Sequence, residues 1–307
     1  MRGTIFCLGS ANVDLQVRAE RWPGPSETLP VTDFLMVGGG KAANTAYLGR
    51  KLGAPTVLLA RVGDDPLADE ALRPLAAVGV ELQHARRVPG AATGVAMIAV
   101  RPDGQKTILL AENANDRWEA GAVAHVERVL VAAAPGSVLV LDLEISPDVV
   151  WGALRAARAR GLRVVLDPSP ADRYEARYGE FVEFLTPNAG EAERLSGSPV
   201  RDLDEAFQAA RALCDQGVDQ VLVKMGAAGC ALVSEEGERH FPAPAVEPVD
   251  TTGAGDAFAG ALAFALWEGK SPAEAVRFAV ATSALATTQY GSQAAYPDRA
   301  AIDALLM

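Results

Sequence analysis

Cysteine and histidine are scarce in this chain, three of each in 307 residues. Cys7, Cys214 and Cys230 stand far apart in apolar segments, with no CxxC pair, so buried free thiols and a reducing compartment are expected. His84, His125 and His240 form no cluster along the sequence, which argues against a zinc centre. Basic residues are outnumbered, 28 against 39 acidic, for a formal net charge of −11. No dense basic run exists, which argues against a nucleic-acid partner. No apolar run reaches membrane length, and the start lacks a charged segment followed by an apolar one; a soluble, cytoplasmic protein with no membrane partner is expected. Aromatic residues make up only 6%, and repeats, low-complexity tracts and long linkers are absent.

Half of the residues are hydrophobic, dominated by Ala, Val and Leu, which suits parallel strands covered by helices. Short apolar runs at 4–8, 57–62, 138–143, 163–166, 184–185 and 220–224 read as buried strands. Helical patterns follow at 41–52, 66–78, 147–160, 190–195 and 203–216, then at 257–267, 272–290 and 302–306. This βαβ rhythm predicts an α/β fold, a doubly wound, mainly parallel sheet with helices on both faces, and the length allows one large domain or two small ones. Two stretches, 12–37 and 93–111, break the rhythm. The second carries two strand-like runs joined by Pro102-Asp103-Gly104, a hairpin signal. Together they could make a small antiparallel sheet over one edge of the domain; an antiparallel extension of the main sheet is the plainer alternative.

The most informative stretch, 249–260, reads VDTTGAGDAFAG. Gly253 and Gly255 flank Ala254 just before a long apolar helix, and Asp256 stands where the helix begins. Unpaired N–H groups at a helix start carry partial positive charge, and glycines let them approach an anion. A carboxylate at such a site makes sense if Asp256 takes a proton from an attacking hydroxyl while the N–H groups of Gly253, Ala254, Gly255 and Asp256 hold a transferring phosphoryl group. Asn12 and Asp14, two apart on a strand, point to one face and suit sugar hydroxyls; a strand-end cap is the plainer alternative. Gly39, Gly40 and Lys41 precede a helix with Asn44 one turn in, which brings backbone donors, a cation and an amide together. Glu144 ends the apolar strand LVLDLE, sharing its face with Asp142, at the carboxyl edge where open sheets bind ligands. Asn188 and Glu191 have capping-box spacing, and Glu191 could also orient waters on Mg²⁺. Lys224, Gly226 and Gly229 form a turn after a strand.

In order and spacing, GSANVD (9–14), GGGKAAN (38–44), TPNAGE (186–191) and DTTGAGD (250–256) resemble the ribokinase-like (PfkB) carbohydrate kinases over nearly the whole chain. The resemblance implies a single domain over 1–307, an ATP-dependent sugar kinase acting on a primary hydroxyl, with Asp256 as general base. It puts the sugar on Asn12, Asp14, Gly40, Lys41, Asn44, Glu144 and Asp256. ATP falls to Asn188, Lys224, Gly226, Gly229 and Gly255, and Mg²⁺ to Glu191 through water. A monovalent cation, K⁺, is implied at Asp250, Thr252, Ala286, Gln289 and Gly291. Ribose-specific members typically read GGKGAN and keep a lysine that many fructose-type relatives lack, so Lys41 points to D-ribose; Ala42 and Ala295, where a serine is usual, depart from their pattern. Fructose, 2-keto-3-deoxygluconate and nucleosides are the alternative substrates, the last disfavoured by so few aromatics. In this family the small sheet is a lid over the sugar and often the contact of a homodimer. A catalytically silent sugar-binding protein would be expected to lose Asp256 or its glycines. A nicotinamide dehydrogenase would need GxGxxG after the first strand, where CLGSAN stands.

Overall fold

The computed structural model describes residues 3–101 and 106–307. The chain runs β1 (Ile5–Leu8), β2 (Asn12–Arg18), β3 (Thr32–Gly39), α1 (Lys41–Lys51), β4 (Thr56–Gly63), α2 (Pro66–Val78) and β5 (Ala85–Val88). It continues through β6 (Gly94–Val100), β7 (Lys106–Ala111), α3 (Ala122–Val131), β8 (Val138–Leu141), α4 (Pro147–Arg160), β9 (Arg163–Leu166) and β10 (Phe184–Leu185). The last part holds α5 (Ala189–Ser196), α6 (Leu203–Cys214), β11 (Gln220–Lys224), β12 (Cys230–Ser234), β13 (Gly237–Phe241), α7 (Ala254–Trp267), α8 (Pro272–Ala286) and α9 (Arg299–Leu306).

Nine strands form one sheet in the order β13-β12-β11-β10-β9-β8-β1-β4-β5. It is parallel from β11 to β5, with β12 and β13 added antiparallel at one edge. Alternate strand residues enter two separate cores. Ile5, Cys7, Leu58, Ala60 and Val140 pack with α1, α2, α7, α8 and α9. Phe6, Leu8, Leu59, Leu139 and Leu141 pack with α3, α4, α5 and α6 on the other face. Strands covered on both sides have no polar face, which is why β1 and β8 read as unbroken apolar runs. From β1 the chain first moves toward β4 and β5 and later, from β8, in the opposite direction. The carboxyl ends of β1 and β8 therefore flank a topological switch point, where a crevice opens in such sheets.

The two interruptions of the rhythm meet in a four-stranded sheet, β3-β2-β6-β7. Its outer pairs are antiparallel, and the central pair β2–β6 runs parallel. The turn expected at 102–104 lies outside the described residues; the strands on either side of it do pair antiparallel.

Several boundaries differ from the sequence reading: α6 stops at Cys214 rather than 216, α9 begins at Arg299 rather than 302, and three others lie near the cleft. Helix α7 begins at Ala254, not 257, because Gly253 at φ +74 caps it and Asp256 falls within its first turn. A side chain on Gly253 would also meet the Tyr296 hydroxyl at 2.7 Å. Helix α8 stops at Ala286 rather than 290: the Thr287 carbonyl instead accepts the N–H groups of Val249 and Asp250. Glu144 lies beyond the end of β8, in the bend before α4, where its N–H donates to Asp142 Oδ1 at 2.9 Å.

The thiols of Cys7 and Cys230 are buried and that of Cys214 half-buried, all unpaired. Burial pushes Cys214 up to about 11 and Cys230 up to about 12, so neither is a thiolate at neutral pH. Among the described residues no helix is long and apolar enough to cross a membrane.

Candidate active site

A cleft of about 1010 Å³ opens between the carboxyl edge of the large sheet and the inner face of the small one. Asn12, Asp14, Gly40, Lys41, Asn44 and Glu144 line it at one part of the wall. Asn188, Glu191, Lys224, Gly226, Gly229, Thr252 and the 253–256 segment line it as well, as do Asp167 and apolar residues of the small sheet and of α8. Asn12 and Asp14 descend from β2, Lys41 and Asn44 stand on the first turns of α1, and Asp256 stands on the first turn of α7.

Asp256 is held by Asn44, whose Nδ2 donates to Oδ2 at 2.8 Å, while Gln293 Nε2 donates to Asn44 Oδ1 at 3.0 Å. The Lys41 ammonium lies 3.8 Å from Asp256 Oδ1 and 3.6 Å from Asp167 Oδ1. Lys224 Nζ donates to Asp167 Oδ2 at 2.9 Å. Burial raises the Asp256 carboxyl, against the pull of Lys41 and Asn44. Burial, then the charges of Asp256 and Glu144, push Asp14 up to about 7. Burial lifts Glu144 as well, with Lys41 opposing. Asp167 goes the other way: burial favours its neutral form, but Lys224 and Lys41 outweigh burial and hold it below the usual range. A raised carboxyl beside a lysine bridge is the charge pattern of an acid–base site.

The loop before α7 brings helix-start N–H groups to the wall of the cleft. Ala257 N–H bonds the Gly253 carbonyl, whereas the N–H groups of Gly255 and Asp256 have no backbone acceptor at the helix start. Ala254, expected among the donors, instead turns its N–H onto the Thr251 carbonyl at 3.3 Å. One carboxylate organises this loop. Asp250 Oδ1 accepts from Thr252 N–H at 2.9 Å, and Oδ2 accepts from Gly291 N–H at 3.0 Å and from Gln16 Nε2 at 2.8 Å. The Tyr296 hydroxyl donates to the Gly253 carbonyl at 3.0 Å. Ala286, Gln289 and Gly291 follow one another from the end of α8 into the turn that contacts Asp250.

Asn188 and Glu191 form the capping box of α5: Asn188 N–H donates to Glu191 Oε2 and Glu191 N–H to Asn188 Oδ1. This leaves Glu191 Oε1 and the Asn188 amide nitrogen for the cleft. Among the described residues no group of three His, Cys, Asp or Glu side chains is arranged to hold a metal.

Across these positions the chain matches the pfkB family carbohydrate kinase profile from residue 2 to residue 299. The chain belongs to the pfkB family of carbohydrate kinases. Among the kinase's relatives is a deoxyribokinase from Salmonella typhi, 34% identical over 294 residues, with 95% of each chain covered. A ribokinase from Haemophilus influenzae is 34% identical over 300 residues, covering 97% of each. Among solved structures, Arabidopsis thaliana ribokinase complexed with ribose and ATP superposes with a TM-score of 0.87 at 32% identity, covering 100% of this chain and 99% of that one. A Thermotoga maritima ribokinase superposes with a TM-score of 0.86 at 31% identity, with 99% of each chain covered.

Sequence reasoning missed four residues of this kinase's site. Asp167 stands just past the end of β9, at the same carboxyl edge that singled out Glu144, so the same rule could have found it. Lys106 reaches from β7 of the small sheet to the Thr251 carbonyl, 3.2 Å away. Gln293 and Asn115 are brought in by folding alone, 249 and 103 residues from Asn44 and Asn12. Folding also joins His84 and His125, far apart in the chain, with 3.1 Å between Nδ1 and Nε2; the pair lies outside the cleft.

Proposed function

We propose that this kinase transfers the γ-phosphoryl group of ATP to the primary C5 hydroxyl of D-ribose, working as one unit whose lid comes from 12–37 and 93–111. The observation that carries this reading is Asp256: a buried, raised carboxylate set among free helix-start N–H groups, with polyol-binding side chains on one side of it. Asn12, Asp14, Lys41 and Glu144 would orient the sugar and leave its hydroxyl beside Asp256. Asp256 would accept the hydroxyl proton as the bond to phosphorus forms. Gly255 and Asp256 N–H groups would hold the charge that collects on the phosphoryl oxygens. Lys41 and Lys224, steadied by Asp167, are the cations facing the phosphates.

Mg²⁺ would be held chiefly by ATP oxygens, with Glu191 Oε1 reaching it through water; its chemistry is neutralisation of phosphate charge. A monovalent cation fits the loop around Asp250. The Ser292 hydroxyl is buried there without a hydrogen-bond partner, and Ser292 lies against Gly253. Ser292 could thus supply the oxygen that Ala295 lacks. K⁺ at this place would order the loop.

The outer face of the lid supports a homodimer. Register places Met36, Leu15, Met97 and Leu109 in one row across its four strands, and Phe34 and Leu109 are 69% and 62% exposed. Such an apolar band is unusual on an isolated surface, and a second copy would cover it.

The deciding experiment is ATP consumption with ribose, 2-deoxyribose, fructose, 2-keto-3-deoxygluconate and nucleosides, each with and without K⁺. Ribose should give the highest kcat/KM. Preference for another acceptor by tenfold would overturn the ribose assignment, and no turnover with any would overturn the kinase mechanism.

A further inference from the structure

Asn12 does not choose its own orientation. Behind it, away from the cleft, sits Asn115, on the short 3₁₀ turn Asn113–Asp116 that follows the lid. Asn115 is fully buried and Asn12 nearly so. The backbone N–H of Ala11 donates to Asn115 Oδ1 at 3.0 Å. A backbone N–H can only donate, so this contact fixes which end of the Asn115 amide is oxygen. The other end, Nδ2, donates to Asn12 Oδ1 at 2.6 Å. Asn12 must therefore turn its own Nδ2 toward the cleft, where no described residue accepts from it. Space for the pair is reserved by Gly94: a Cβ there would lie 2.2 Å from Asn12 Oδ1 and 2.5 Å from Asn115 Nδ2.

We infer that Asn115 is a positioning residue that sets the polarity of the sugar subsite, forcing Asn12 to present a hydrogen-bond donor and so to select a hydroxyl oxygen as acceptor. A donor facing the sugar complements the carboxylates of Asp14 and Glu144, which can only accept when ionised. A hydroxyl between them can accept from Asn12 and donate to a carboxylate, using both of its capacities. The relay Ala11–Asn115–Asn12 also ties this choice to the chain on both sides of the lid. The inference rests on the sugar-kinase reading above.

The test is Asn115→Asp beside Asn115→Ala, with ribose and ADP affinities measured by calorimetry. An ionised aspartate is isosteric and still accepts from Ala11, but it cannot donate; Asn12 would flip and turn its oxygen to the sugar. Ribose affinity should fall at least tenfold in Asn115→Asp and about threefold in Asn115→Ala, with ADP affinity within twofold of wild type in both. A purely structural role predicts the reverse order, because aspartate preserves shape and alanine leaves a cavity. In an Asn12→Ala background the Asn115→Asp effect should shrink to less than twofold, since the relay then has nothing to turn. An undiminished effect in that background, or an alanine variant weaker in ribose binding than the aspartate one, overturns the inference. If the wild-type enzyme does not bind ribose, the substrate assignment fails first, and the same variants are measured with the sugar that it phosphorylates.

Discussion

Replacing Asp14 with asparagine should weaken sugar binding and strengthen the fold, and the second effect can be worked from the structure. Asp14 is buried beside Asp256 and Glu144, and its carboxyl titrates at about 7 instead of 3.8. A group that ionises at about 7 when folded and near 3.8 when unfolded binds more protons in the folded state between those values. Folding stability then falls as pH rises from about 4 to about 7 and stays low above that. Three units at about 1.4 kcal/mol each give a burden of about 4 kcal/mol at pH 8. Asp14→Asn removes the titration. Relative to wild type, the variant should gain stability from pH 5 to about pH 7 and then level off, by about 2–3 kcal/mol in total, because about two of the three units lie above pH 5. Reversible urea denaturation of the ligand-free enzyme at pH 5, 6, 7 and 8 measures this. Any fixed effect of the amide on packing shifts all four points equally and drops out of the comparison. Ribose affinity should fall at least tenfold in the same variant. A stability difference that is flat across the series would refute the argument, because Asp14 would then carry no buried charge.

Three other outcomes follow from the same geometry. Asp256→Asn should keep nucleotide affinity within threefold but lose turnover by on the order of 10²–10⁴, the scale of a positioned base; steady-state kinetics with intact near-ultraviolet circular dichroism checks it. Asp167→Asn strips Lys41 and Lys224 of their shared counter-charge and should destabilise the ligand-free enzyme by roughly 2–3 kcal/mol, less than a fully buried pair because both lysines are partly solvated; ADP should then raise the melting temperature more in the variant than in wild type. Leu109→Glu with Met97→Glu puts charge into the exposed row of the lid and should give a monomer by sedimentation, with the fold intact by circular dichroism.

Much of this architecture was legible because strand and helix periods differ and because both faces of the sheet are covered. The 163–166, 184–185 and 220–224 strands fall where the apolar runs do. Edge elements were not legible: β13 is Gly-Glu-Arg-His-Phe with four exposed residues of five, and it carries no hydrophobic alternation. Helix α3 does carry a signal, since Ala122, Val126 and Leu130 recur every four residues and are buried, but polar neighbours obscure it. Within the site, residues in one short segment such as 253–256 announce themselves by spacing. Asn115, Gln293 and Lys106 act through partners more than a hundred residues away, and no local pattern encodes such a meeting.

The bond from Gln16 to Asp250 gives the small sheet a mechanical property. Gln16 belongs to β2 of the small sheet, whereas Asp250 anchors the loop before α7, so the two sides of the cleft share a latch. Any swing that carries β2 away from that loop must break a buried amide–carboxylate bond, worth about 1.5–3 kcal/mol. That alone would depress the open form by roughly 10- to 150-fold. If the small sheet is the lid proposed above, the resting enzyme is then mostly shut, and sugar enters only when this bond and the Lys106–Thr251 contact let go together.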